Sequence, residues 1–198
     1  MEASSEDIII DKKLFDITFP LLDKFKEICP GTFKNSQNVS NMCETVAVEL
    51  DLNIDLLKCA ALYHDIGKMN IPTSILAKPG KISDIEYRMI KTHPQLGCNM
   101  LKNIEFSLPV IDIILQHHEK EDGSGYPNGL KGKDIRLEAK ILLVADVVEA
   151  MSSHRPYRPA LSINKAIREI RKNRGKLFNP EIVDVCVELF EDKGFKFK

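Results

Sequence analysis

Taken as a pattern of apolar and polar positions, the chain repeats with a helical period almost throughout, and no run alternates convincingly as a strand. Leu14, Leu21, Phe25 and Ile28 make one stripe over residues 14–29, which Pro30-Gly31 ends. Val39, Met42, Cys43, Val46 and Leu50 repeat over residues 36–50. Asp55 is placed to cap a helix running through Leu56, Leu57, Ala60, Ala61 and His64 to Gly67. Residues 69–80, rich in turn formers and holding Pro72 and Pro79, predict a loop. Ser83 with Glu86 three residues on has the form of a capping box, opening a helix through Ile90 and His93 to Gly97. Residues 108–119 predict a helix closed by two histidines, and 134–152, with ILLVADVVEAM at its centre, has the most buried pattern. Residues 162–174 and 180–192 predict two more, parted by Gly175 and Asn179-Pro180. The expectation is an all-α fold, a bundle of about seven to eight helices in one domain over 14–198. Residues 1–13 read as a lead-in, the end of a linker.

Composition narrows the function classes. An apolar share of 43% over 198 residues is ordinary for a soluble chain with a sizeable core. A net charge of −1 argues against general binding of DNA or RNA, which shows a basic surplus. The acidic start, Met1-Glu2-Ala3-Ser4-Ser5-Glu6-Asp7, is not the basic head of a signal peptide. No uncharged apolar run approaches the ~18–20 residues needed to span a bilayer. The cysteines at 29, 43, 59, 98 and 186 are odd in number and form no C-x-x-C pair. With mostly apolar neighbours they read as reduced core residues of a cytoplasmic protein.

The chemistry gathers around residues 117–130, HHEKEDGSGYPNGL, where two adjacent histidines meet glycines and a proline that cannot continue a helix. Three other places share that character. His64-Asp65 lies in LYHDIGK; adjacent helical residues diverge by about 100°, so the pair can share a metal only at a helix end or a junction of helices. The bland alternative is a histidine that satisfies the last carbonyls of its helix. Asp146 sits inside Ile141-Leu142-Leu143-Val144-Ala145-Asp146-Val147-Val148, where a carboxylate is costly unless paired with an arginine or bound to a metal. His93 follows Met89 and Ile90 by four and three residues and so faces the core stripe, as a hydrogen-bonded core histidine also would. Of only five histidines, four have such placements. Imidazole with carboxylate and no thiolate suits Fe, Mn or Zn. Six ligands exceed what one catalytic metal takes but fit two ions ~3.5–4 Å apart, an arrangement that generates hydroxide and clamps a phosphoryl group. Lys68, Arg155 and Arg158 are available for phosphate charge.

In order and spacing, LYHDIGKMNIP, ILAKPGKIS, KTHPQLG, HHEKEDGSGYPNGLKG, AKILLVADVVEAM and HRPYRPAL resemble the HD-GYP family, a subgroup of the HD-domain phosphohydrolases. The resemblance covers roughly residues 33–190. It implies a helical bundle with a bi- or trinuclear centre, usually iron or manganese, that hydrolyses cyclic di-GMP to pGpG or GMP. By position, His64 and Asp65 look like the HD ligands, with Asp65 bridging and so serving catalysis together with Lys68, the lysine on the scissile phosphate. His93, His117 and His118 look like the second-metal set, and Asp146 like the closing ligand of the first. Gly125, Tyr126 and Pro127 match the GYP signature, which reaches the ligand and docks GGDEF-domain partners, while Arg155 and Arg158 match phosphate-holding residues.

Departures temper this. Where the family has a histidine opening the second helix, the chain reads Asn35, and no histidine precedes His64. Trinuclear members carry a glutamate where Gly31 stands. Both argue against a third metal, and Asn35 leaves the first ion loosely held, so one or two divalent ions are expected. Glu149 stands at a usual aspartate, and His154, read as a surface histidine, at another. Two alternatives stay open beside the phosphodiesterase: a degenerate domain that binds cyclic di-GMP or a partner without efficient hydrolysis, and a hydrolase of another cyclic (di)nucleotide. The basic stretch 164–176 reads as a solvated helix face or an extension of the phosphate-attracting field. Glu119 reads as a hydrogen-bond partner of a ligand histidine or as a surface salt bridge, and Tyr126 as a stacking residue or loop packing.

Overall fold

The computed structural model describes residues 20–106, 109–154 and 158–197. The expected lead-in, Leu14 and Arg155 lie outside them. Among the described residues there is no β-strand, only an isolated bridge between Arg174 and Phe178, so the chain is all-α as its periodicity predicts.

Residues 20–28 are helical. Pro30 closes that segment but also opens the next: α1 spans Pro30–Glu49 and starts earlier than the expected residue 36, because proline's fixed φ and missing N–H suit a first turn. α2 (Ile54–Tyr63) is capped by Asn53, whose side chain accepts from the Leu56 N–H at 2.9 Å; the expected cap, Asp55, lies two residues further on within the first turn, where its charge favours the helix N-terminus. α2 stops before His64, and a 3-10 turn (Ile66–Asn70) follows. The expected loop at 69–80 holds a short α3 (Thr73–Leu76).

The single helix expected at 83–97 is two: α4 (Asp84–Ile90), with the Ser83/Glu86 capping box in place, and α5 (His93–Leu101). Pro94 explains the break, since it lacks an N–H and is tolerated only in a helix's first turn. α6 (Val110–Gln116) ends at the histidine pair, and α7 (Leu137–Ser152) starts after a 3-10 turn (Gly132–Asp134). α8 (Ile163–Lys172) and α9 (Pro180–Glu191) close the bundle. These breaks raise the count to nine α-helices beside residues 20–28 among the described residues, above the expected seven to eight.

α7 is the axis. Ala139, Ile141, Leu142, Val144, Ala145 and Val148 are fully buried, so apolar residues surround it on all sides, and α1, α6, α8 and α9 pack on it. α2 lies between α1 and α6, with Leu57, Ala60 and Ala61 buried. The five cysteines are free and four are buried, as expected. The basic stretch after α7 presents a solvated face on which Arg171 pairs with Glu191 and Arg174 with Asp184. Among the described residues no helix is long and apolar enough to cross a membrane.

Candidate metal centre

The ends of helices converge here. His64 is the C-cap of α2, Asp65 caps the 3-10 turn, His93 opens α5 and His117 is the C-cap of α6. All four residues are buried, none more than 2% exposed. Two glycines allow this approach. A Cβ on Gly67 would stand 2.0 Å from the His93 carbonyl oxygen and 2.5 Å from Gly97 N, and one on Gly97 would stand 3.4 Å from Gly67 N. The 3-10 turn therefore lies directly on the first turns of α5, which sets Asp65 beside His93.

Three imidazoles share one orientation. The Nδ1 of His64, His93 and His117 meets the carbonyl of Ala61, Ile90 and Ile114 at 2.6, 2.7 and 2.6 Å, each three residues earlier. A carbonyl only accepts, so each Nδ1 carries a proton, and whenever the ring is neutral its Nε2 presents a lone pair to the centre. The bland reading of His64, a histidine satisfying helix carbonyls, is thus true of one nitrogen and frees the other. His93 Nε2 lies 3.2 Å from His117 Nε2 and 3.1 Å from Asp65 Oδ1. His64 Nε2 lies 3.4 Å from Asp65 Oδ2 and 3.8 Å from Asp146 Oδ1, which α7 supplies. Lone pair faces lone pair, and His64 Nε2 and Asp65 Oδ1 are buried without a hydrogen bond. Buried acceptors converging with so few donors suit a bound cation.

Two triads have ligand atoms within 4.8 Å of one another: His93, His117 and His118, and His64, Asp65 and His117. His117 thus belongs to both, where the sequence assigns it to one set. Asp65 touches both sides, with Lys68 Nζ 2.5 Å from its Oδ2. Donors and burial fit a divalent metal centre.

The electrostatics agree. Burial alone would lower His64, but the Asp65 and Asp146 carboxylates override it and lift it to about 10. Burial alone would raise Asp146, but His64 brings it to about 2; Lys68 and His64 likewise hold Asp65 well below the carboxylate range. Burial pushes His117 down to about 3, helped by the charges of His64 and His93. Burial also lowers His118, with help from His117, and His93, against the pull of Asp65. Neutral His93, His117 and His118 beside ionised carboxylates are the protonation states that metal ligation needs, whereas His64 in the metal-free protein holds a proton that a bound ion would displace.

The glycine loop is clamped to this centre. The Tyr126 ring stacks on His118, centroids 4.6 Å apart at 28°. A Cβ on Gly125 would stand 2.5 Å from the Glu119 Cα and the His118 carbonyl oxygen, so only glycine lets the loop lie on that backbone. Glu119, 1% exposed, is neither a surface salt bridge nor a partner of a ligand histidine among its recorded bonds. Its carboxylate accepts the N–H of Asn128 at 2.6 Å, Gly129 at 3.1 Å and Leu130 at 3.0 Å. The signal was its place between the histidine pair and the glycines.

Other positions behave differently. Asn35 lines a cavity of about 410 Å³ with Gly31, Lys34, Lys68, Ile90 and His154. His154 is exposed, as expected. Arg158 Nη1 and Nη2 donate to the carbonyls of Met151 and Ala150 at 3.2 and 2.6 Å, so its guanidinium caps the end of α7. Glu149, buried, accepts from Asn38 Nδ2 at 3.2 Å and Ser153 Oγ at 2.7 Å.

Comparison with known proteins places this arrangement. The profile of the HD domain matches residues 24–182. The cyclic di-GMP phosphodiesterase response regulator RpfG of Xanthomonas campestris is 40% identical over 162 residues, 79% of this chain and 43% of RpfG. The 3'3'-cGAMP-specific phosphodiesterase 1 of Vibrio cholerae is 38% identical over 161 residues, 79% of this chain and 37% of that protein. The chain thus spans less than half the length of these curated relatives. Among solved structures, Bd1817, a HDG"Y"P protein from Bdellovibrio bacteriovorus, superposes with a TM-score of 0.66 at 22% identity, over 79% of this chain and 51% of that one, a likeness of fold. With the family's profile running through most of its length and its histidines and aspartates meeting at the helix ends, this chain belongs to the HD domain family.

Proposed function

We propose that this domain, taken as residues 14–198, is a metal-dependent phosphodiesterase that hydrolyses cyclic di-GMP to pGpG, GMP or both in the cytoplasm. What supports it most is the buried convergence of three oriented Nε2 atoms with the carboxylates of Asp65 and Asp146, beside Lys68. In this reading His64, Asp65 and Asp146 would hold one ion and His93, His117 and His118 the other, with Asp65 serving both and iron or manganese as the metal. Bound there, the ions supply Lewis-acid polarisation of the diester and activation of water.

The chain's own groups do the rest. Lys68, held by Asp65 and facing the neighbouring cavity, gives a point charge to the phosphate oxygens. Tyr126, fixed on His118 by Gly125 and Glu119, walls one side and keeps water from that imidazole. Arg155 adds phosphate contact, while Arg158 steadies the end of α7. The loop exposes Pro127 and Asn128, the surface on which GGDEF-domain partners would dock. The test is direct: incubate Fe²⁺- or Mn²⁺-loaded protein with cyclic di-GMP and follow pGpG and GMP. Chelator-sensitive turnover is expected, and no turnover with metal verified as bound sinks the proposal.

A second reading, a domain that binds without cleaving, is favoured by Asn35, whose amide oxygen is a weaker ligand than imidazole. It expects binding of cyclic di-GMP with about one metal per chain, rising toward two in Asn35→His with hydrolysis regained. Unchanged metal content in that variant refutes it. Because one relative is named for 3'3'-cGAMP, that dinucleotide belongs in the same assay.

A further inference from the structure

α4 buries no residue, yet it carries Ile85, Tyr87 and Met89, which are 66, 50 and 40% exposed. Packing gives no reason for a tyrosine there, and its surroundings do. The ammonium of Lys91, just past the helix, stands 4.9 Å from the centroid of Tyr87 and 4.9 Å from that of Tyr126. Tyr126 in turn stacks on His118, a member of the metal-ligand cluster. A continuous series of π faces and one cation therefore leads from the centre out to a half-exposed aromatic ring.

We propose that Tyr87 and Lys91 form a subsite for a guanine base, stacked on the Tyr87 ring while the Lys91 ammonium donates to the guanine O6 and N7. This rests on the cyclic di-GMP reading above and supplies its base selectivity. The chemistry is specific. An exposed ring offers stacking to any base, worth about tenfold or more in affinity. A lysine at the base edge finds two acceptors on guanine, whereas adenine presents its N6 amino donor in place of O6. A phosphate has no use for two aromatic faces, and Lys68 with the metal ligands already serves it. The ammonium needs only a change of its own rotamers to pass from the rings to a base edge, and its aromatic neighbours hold it near that position in the meantime.

Equilibrium binding of cyclic di-GMP and cyclic di-AMP to the metal-loaded chain, by calorimetry, tests this without requiring turnover. Tyr87 is half exposed and α4 buries nothing, so substitutions there leave the core intact; thermal melting checks that. Tyr87→Ala is expected to raise the Kd for cyclic di-GMP about tenfold and Tyr87→Phe to retain affinity, because the ring does the work. Lys91→Met is expected to narrow the preference for cyclic di-GMP over cyclic di-AMP about tenfold. Affinities within twofold of wild type for Tyr87→Ala overturn the stacking. A Lys91→Met variant that weakens both dinucleotides equally marks a phosphate contact and overturns the base readout, as does a wild type with no guanine preference. Wild-type protein that binds the dinucleotide and does not cleave it refutes hydrolysis alone and leaves this inference tested by the variants. Wild-type protein that binds neither dinucleotide overturns both readings.

Discussion

Gly67→Ala adds one methyl group at the seam that makes the metal centre. Its carbon would stand 2.0 Å from the His93 carbonyl oxygen, 2.5 Å from Gly97 N and 2.9 Å from the His93 carbonyl carbon. Non-bonded carbon settles at about 3.5 Å, so the 3-10 turn must retreat from α5 by roughly 1.5 Å. All three obstacles are backbone, so no rotamer change relieves the clash. Asp65 caps the retreating turn and His93 opens the helix it leaves, so their 3.1 Å contact widens with it. Metal sites hold ligand distances to about ±0.2 Å, far less than this shift. Overpacking costs about 1–3 kcal/mol, and a backbone clash belongs at the upper end. At about 2–4 °C per kcal/mol for a chain of this size, melting should fall by roughly 6–12 °C. Gly31→Ala is the control: a Cβ there meets nothing within 4 Å on α1, and a helical alanine gains about 0.5–1 kcal/mol over glycine. The assay is a thermal melt of chelator-treated protein, followed by metal per chain after reloading. A Gly67→Ala protein that melts with wild type and reloads fully refutes the reasoning.

Two further outcomes follow from buried charge. Glu119→Gln keeps the shape but turns an amide NH₂ toward loop N–H groups, leaving at least one buried donor unpaired at about 1–3 kcal/mol; exchange of the Asn128, Gly129 and Leu130 amides should quicken, and unchanged exchange would show that the loop holds without the clamp. In metal-free protein, His117 stays neutral down to about 3 and Asp146 ionised down to about 2, so the unfolded chain takes up protons first on acidification. Stability should fall as pH drops from about 6.5 through His117 and again below about 4 through Asp146. His64, lifted to about 10, has the opposite sign: its contribution is complete below about 6.5 and lost as pH rises toward 10. Chelated protein should therefore melt highest near pH 6.5, and a melting temperature flat from pH 5 to 9 would contradict these shifts.

The order of helices and the all-α class were legible because apolar period survives any tertiary arrangement. α7 announced its burial by being apolar on every side. Boundaries were less legible where two local signals competed. Pro30 ends one helix and starts another, and Asn53 outcompetes Asp55 as a cap because only its side chain reaches the Leu56 N–H. At the site, His64, Asp65, His93, His117, His118 and Asp146 could be picked out as polar groups in core-facing positions, and the structure brings them together. Arg158 is expected from the resemblance to hold phosphate, and its contact with the α7 carbonyls was not legible because a guanidinium suits a phosphate and a helix C-terminus equally well.

Sequence by itself determined which side chains are candidates to hold a metal, since ligand type and helical register are properties of residues and their spacing. Tertiary structure alone decided that three imidazoles turn their Nε2 atoms to one point, because the carbonyl each Nδ1 takes depends on where its helix begins or ends. It alone decided that Gly67 and Gly97 touch, that Glu119 serves the loop rather than the metal, and that Tyr87 and Lys91 stand beside Tyr126. Apart from the Glu119 clamp, those are contacts between segments far apart in the chain, and local pattern holds no information on the distance between them.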